Sequence, residues 1–143
     1  MEFRNWKYED VLKISELEKE CFKEPWTYRM VADAFSSDLF VGILAEYGGE
    51  IVGYVCGTVL FENAELDNIA VAEAYRGQGI AKELIRRFHA QVKAKEGERV
   101  LLEVRVSNSP AMRLYLAEGY KGLYARTRYY HDGEDALIMQ KEL

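Results

Sequence analysis

Leu66-Asp67-Asn68-Ile69-Ala70-Val71-Ala72-Glu73-Ala74-Tyr75-Arg76-Gly77-Gln78-Gly79-Ile80-Ala81 runs from a strand-like segment through a glycine turn into a long amphipathic segment. The pattern predicts a strand over Leu66 to Ala72 and a helix from Gly77 to Glu96. Ile80, Leu84, Ile85, Phe88 and Val92 recur at helical spacing, and Gly97 stops the helix. The first amides of such a helix lack partners, and the helix dipole adds partial positive charge in the same place. That is an anion site suited to phosphate. Gly77 and Gly79 let the backbone approach a ligand, Arg76 adds a full charge, and Ala81 is small. A tight strand-to-helix turn also favours glycine without any ligand. Two familiar phosphate patterns do not fit. A P-loop needs Gly-Lys-Ser/Thr, and Gly79 is followed by Ile80; a dinucleotide fingerprint needs a third glycine where Lys82 stands.

Upstream of this stretch, residues 2 to 7 have weak strand character. Tyr8 to Phe22 keeps apolar positions at helical spacing, and Pro25 ends that helix. Thr27 is a candidate N-cap for a short helix through Phe35. Leu39 to Tyr47 and Glu50 to Phe61 read as strands joined by a Gly48-Gly49 hairpin turn. Gly53 and Gly57 mark twist or a bulge in the second of them. Downstream, Arg99 to Ser107 is a strand, and a helix capped by Ser109 with Pro110 in its first turn runs to about Glu118. Tyr120 to Tyr130 and Ala136 to Lys141 read as two final strands. The expected fold is a mixed α/β sheet of about seven mostly antiparallel strands with helices on both faces, in one domain over residues 1–143.

Composition narrows the function. Nineteen basic and 24 acidic side chains give a formal charge of −5. That argues against nucleic acid as the partner, which calls for a basic face, and is compatible with a basic peptide. No segment approaches a membrane span. Cys21 and Cys56 are far apart, and His89 and His131 stand alone, so spacing assembles no metal site. The expected setting is the cytoplasm.

Arg76-Gly77-Gln78-Gly79-Ile80-Ala81 resembles the Arg/Gln-x-x-Gly-x-Gly/Ala signature of the GNAT acetyltransferases, and Ile69-Ala70-Val71 resembles their pantetheine-binding strand. The resemblance implies acetyl-CoA as cosubstrate. The backbone of Ile69 and Val71, with Ala70 between them, would hold the pantetheine arm. The amides from Arg76 to Ala81, including Gln78 and Ile80, would hold the pyrophosphate.

Acetyl transfer to an amine needs a base for nitrogen and an acid for the departing thiolate. Glu103 is the candidate base. It shares a strand face with Leu101, Arg105 and Ser107, and a surface pair with Arg105 is its alternative reading. Tyr115 is the candidate acid, and an aromatic at helical spacing is otherwise a core residue. The run Leu102-Glu103-Val104-Arg105-Val106-Ser107-Asn108-Ser109-Pro110-Ala111-Met112-Arg113-Leu114-Tyr115-Leu116-Ala117-Glu118-Gly119-Tyr120 is similar to one in the ribosomal-protein-alanine acetyltransferases of the RimI type. That likeness implies Glu103 as base through water, Tyr115 as acid and Asn108 against the pantetheine arm. It also implies an acceptor peptide between Trp26 and the Tyr129-Tyr130 pair. Two departures are His131, where the family often has Pro, and Tyr120, where it has Phe. The implied substrate is a protein N-terminus, that of a small-subunit ribosomal protein. An α-amine, with a pKa of about 7.7–8.0 against about 10.4 for lysine, asks less of a single glutamate. Acetylation of lysine or a small amine, and a non-catalytic acetyl-CoA-binding regulatory module, are the alternatives.

Overall fold

The computed structural model describes residues 1–143. β2 (Phe40–Tyr47) and β3 (Glu50–Leu60) fold back about Gly48 and Gly49, whose φ angles of 60° and 80° suit a hairpin turn that L side chains adopt poorly. β1 (Glu2–Asn5) lies antiparallel on β2, and β4 (Asn63–Val71) antiparallel on β3. β5 (Arg99–Arg105) is followed by the hairpin of β6 (Lys121–Arg126) and β7 (Ala136–Glu142), with β7 inserted between β5 and β6. The sheet order is β1-β2-β3-β4-β5-β7-β6, and only β4 and β5 are parallel.

Helices cover both faces. α1 (Val11–Cys21) and α2 (Tyr28–Phe35) bury Val11, Ile14, Leu17 and Val31 against Leu44, Tyr54, Cys56 and Ala70. α3 (Ile80–Ala94) and α4 (Ser109–Ala117) cover the other face, where Leu84, Ile85, Phe88 and Tyr115 meet Val55, Val100, Leu102 and Val104. Mostly antiparallel strands between two helical layers are the architecture the sequence led us to expect.

The differences lie at element ends. Tyr8–Asp10 is a single 3-10 turn rather than the start of α1, and β4 begins at Asn63 rather than Leu66. α3 begins at Ile80, because Gly77 and Gly79 take φ of 77° and 80° and hold the chain out of the helix. Asn108, not Ser109, caps α4: its side chain accepts from the Ala111 amide at 3.2 Å, and Ser109 is already helical. β6 stops at Arg126, so Tyr129 and Tyr130 belong to the loop before β7 and not to a strand. Arg128 has a φ of 52° there, which breaks the extended run.

Two irregularities of β4 break the even spacing of the sheet. Its parallel pairing with β5 covers only Asn63 to Glu65 against Arg99 to Leu101. Beyond Glu65 the two strands part and leave a wedge open in the sheet. Opposite Cys56 and Gly57 of β3, β4 also carries an extra residue. Gly57 is required at that point: a Cβ there would meet the Glu65 carbonyl oxygen at 1.9 Å and the Phe88 ring at 2.7 Å.

Candidate active site

The wedge between β4 and β5 is the floor of a cleft of about 880 Å³. One wall is the end of α1 and the loop to Trp26. The other is the start of α4 and the loop that carries Tyr129 and Tyr130.

The glycine turn lies at the C-terminal end of β4. The Arg76 amide donates to the Glu73 carbonyl at 3.3 Å, and the Glu83 amide donates to that of Gly79 at 3.1 Å. Between them, no amide from Gly77 to Lys82 finds an acceptor in the protein. An added Cβ at Gly77 or Gly79 would meet nothing within 4 Å, so these glycines serve the backbone conformation rather than relieve crowding. The Arg76 guanidinium turns back and donates from Nε to the Val71 carbonyl at 2.9 Å.

Register decides which β4 groups face the wedge. The Ala72 amide donates to Val52 of β3 at 2.8 Å, so the pairing of Ala70 with Tyr54 also points at β3. By alternation, the amides and carbonyls of Ile69 and Val71 point the other way, into the wedge. Ala70, expected beside them in the ligand site, turns its backbone to β3 and its side chain into the core under α1. Likewise the Arg76 amide is spent within its own turn. The free amides therefore start one residue later than expected and extend one residue further, to Lys82.

Glu103 stands on the β5 face opposite Val100, Leu102 and Val104. Its neighbour is not Arg105. The Arg105 guanidinium holds Asp132 at 2.8 Å and Glu134 at 3.0 Å and lies over the Tyr130 ring at 4.0 Å. Asp132 and Glu134 are thus the clasp of the β6–β7 loop rather than a free acidic turn. Glu103 instead has Arg126 Nη1 at 3.9 Å and the Tyr129 hydroxyl beside it, and the carboxylate raises the pKa of that hydroxyl.

Tyr115 is buried on α4, with its ring edge-on to Tyr120 at 5.6 Å. No buried side-chain polar atom in the protein lacks a partner, and the Tyr115 hydroxyl makes no hydrogen bond. The hydroxyl therefore opens into the cleft that Tyr115 lines. Burial, then Tyr130, raises its pKa, so the phenol keeps its proton at neutral pH. Asn108 lines the same cleft, with its side-chain oxygen committed to the α4 cap.

Sequence reading missed Glu18. This α1 carboxylate is 1% exposed, accepts from the Trp26 amide at 2.9 Å, and takes further hydrogen bonds from the Tyr54 hydroxyl and the Asn68 side chain. Burial raises its pKa, and the three hydrogen bonds oppose that shift. Its signal was a carboxylate on the apolar stripe of α1, one turn after Ile14.

Tyr120 is matched by His89. His89 Nε2 and the Tyr120 hydroxyl are 2.7 Å apart under α3. Burial, then Tyr115, raises the Tyr120 pKa and keeps its hydroxyl protonated, and the His89 tautomer decides which of the two donates.

The sheet thus joins a row of free amides at one end to a carboxylate, a protonated phenol and an aromatic mouth at the other. This arrangement suits a phosphorylated carrier whose far end meets a second substrate beside Glu103 and Tyr115. The sequence model of the acetyltransferase (GNAT) family matches residues 11–120. A Bacillus subtilis protein named putative ribosomal-protein-bS18-alanine N-acetyltransferase is 39% identical, over 95% of this chain and 91% of its own length. Among solved structures, the Escherichia coli ribosomal-protein-S18-alanine N-acetyltransferase superposes with a TM-score of 0.92 at 26% identity, covering 99% of this chain and 92% of its own. A NatC complex bound to Gag peptide and CoA shares the fold, with a TM-score of 0.89 at 20% identity over 99% of this chain and 98% of its own.

Proposed function

The chain belongs to the acetyltransferase (GNAT) family, and from that premise we propose that it moves the acetyl group of acetyl-CoA onto the N-terminal α-amine of a protein. The acceptor is the N-terminal alanine of a small-subunit ribosomal protein, and residues 1–143 act as one catalytic domain. The names of the Bacillus and Escherichia relatives support this choice. The cytoplasm is the setting in which such an acceptor is made, and no helix here is long and apolar enough to cross a membrane.

The observation that carries the reading is the parting of β4 from β5 after Glu65. It frees the backbone of Ile69 and the amide of Val71, whose carbonyl already accepts from Arg76, on the same line that leads from the Gly77–Lys82 amides to Glu103. In this reading the amides of Gly77, Gln78, Gly79, Ile80 and Ala81 hold the diphosphate. Ile69 and Val71 pair with the pantetheine arm as an added strand would. Asn108 retains its amide group for the same arm. Acetyl-CoA supplies the activated acyl group.

The acceptor enters between Trp26 and the Tyr129-Tyr130 pair. Its neutral nitrogen attacks the thioester carbon, and the carbon–sulfur bond breaks. Glu103 accepts a proton from nitrogen through water, and Tyr115 gives one to the thiolate. A residual charge favours this acceptor end: carboxylates outnumber cations along the cleft, which attracts an ammonium group.

The test is mass spectrometry of a peptide carrying both a free alanine terminus and an internal lysine, after incubation with acetyl-CoA. Acetate on the terminus alone is expected. Acetate on the lysine alone would move the assignment to lysine or small amines, and binding of acetyl-CoA without transfer would make the protein a regulatory module.

A further inference from the structure

Asn68 pairs with Cys56 and Leu66 with Gly57, so Asp67 is the unpaired residue of a β-bulge. Bulges re-aim side chains and cluster beside active sites. This one places Asp67 on the cleft wall, across the wedge from Glu103. Glu65 of its own strand and Glu103 of β5 are its charged neighbours, and the buried Cys56 thiol of β3 feels its charge. Glu18 of α1, Lys23 and Glu24 after α1, Arg126 of β6 and Tyr129 of the β6–β7 loop line the same cleft. Glu18 is fully engaged by Trp26, Tyr54 and Asn68. Glu103 has Arg126 beside it. Asp67 has no hydrogen-bonding or cationic partner; its surroundings are crowding and two further carboxylates.

An arm paired with Val71 and Ile69 runs along β4 toward Asp67. At the rise of a strand, Val71 and Asp67 are ~13 Å apart. The sulfur end of the carrier is therefore delivered to the bulge.

We propose that Asp67 is a second proton acceptor, taking the first proton from the acceptor ammonium before attack while Glu103 receives the second after it. The proposal rests on the acetyl transfer described above. The balance requires two such events. A protonated amine and a thioester give an amide, a thiol and one proton, so nitrogen sheds two protons while sulfur gains one. Asp67 takes the first and passes it to solvent. Glu103 takes the second as the adduct collapses, Tyr115 protonates the sulfur, and the proton on Glu103 restores Tyr115. Asp67 is exposed to solvent in the open cleft, which screens its neighbours. The partial desolvation of the cleft, then Glu65 and Glu103, still raises its carboxyl above the usual carboxylate range. That suits a base working near neutrality.

The experiment compares wild type, Asp67→Asn and Asp67→Glu as full chains with acetyl-CoA, using two acceptors across pH 5.5–9. One acceptor is a peptide beginning with alanine. The other is a weakly basic alkoxyamine that is neutral throughout that range. With the peptide, Asp67→Asn should lose at least about tenfold in kcat at neutral pH, with its acid limb moved to higher pH. Asp67→Glu should keep most of the rate. With the alkoxyamine, Asp67→Asn should match wild type, because no first proton remains to be taken. Coincident pH profiles with the peptide, or equal losses with both acceptors, would overturn the proposal. A wild type that binds acetyl-CoA yet acetylates neither acceptor would overturn the function itself.

Discussion

The Glu18 carboxylate holds the Trp26 backbone amide at 2.9 Å and so ties the loop at the mouth of the cleft to α1. All three of its partners are donors, so an amide in its place would turn an NH₂ toward at least one of them. Glu18→Gln should destabilise the protein by about 1–3 kcal/mol. It should also raise KM for the peptide more than KM for acetyl-CoA, because Trp26 lies at the acceptor end. Chemical denaturation and steady-state kinetics check both. Unchanged stability would mean that the three donors find water instead.

His89 makes stability depend on pH. Burial, then the Lys141 ammonium, lowers its pKa from 6.5 to about 4, with Glu118 opposing. The folded state favours the neutral ring, so its contribution is full above pH 6.5 and is lost as pH falls toward 4. The expected loss across that window is up to about 3 kcal/mol. Urea midpoints at pH 7 and pH 4 should differ less for the double variant His89→Leu, Tyr120→Phe than for wild type. Equal differences would show that the pair does not control the acid response.

Gly79→Ala tests the turn. Its φ of 80° suits glycine, and space for the methyl group is open. Stability should fall by about 1 kcal/mol from backbone strain alone. Acetyl-CoA affinity should fall as well, since relief of the strain rotates the amides of Gly79 and Ile80. Calorimetry with acetyl-CoA reads the second effect, and unchanged affinity would remove these amides from the diphosphate site.

Tyr115→Phe and Glu103→Gln separate chemistry from folding. The Tyr115 hydroxyl has no partner to lose, so the Phe variant should keep its melting temperature while kcat falls by about 10²-fold or more. Glu103→Gln should lower kcat at neutral pH without weakening acetyl-CoA binding. Full activity in the Phe variant would return Tyr115 to the core.

Much of this was legible in the sequence, because the fold rests on periodicities that local chemistry enforces. The α3 stripe, the Gly48-Gly49 hairpin and the Thr27 cap appear where their residues direct. What was hidden depends on pairs distant in sequence. Glu103 looked like a partner for Arg105, two residues away, until the β6–β7 loop brought Asp132 and Glu134 to that guanidinium. Ala70 looked like its neighbours Ile69 and Val71, and only the pairing with Tyr54 separates their directions. Tyr120 looked like a plain exchange for Phe, and its hydroxyl partner, His89, lies 31 residues away on α3. The bulge at Asp67 is a relation between two strands, so neither strand states it alone.

The most direct test is a crystal structure of the protein with acetyl-CoA. The expected result has diphosphate oxygens within about 3.2 Å of the amides between Gly77 and Lys82, and the arm paired with Ile69 and Val71 in the wedge. A carrier bound elsewhere, with those amides still unpaired and the β4–β5 wedge vacant, would contradict the account.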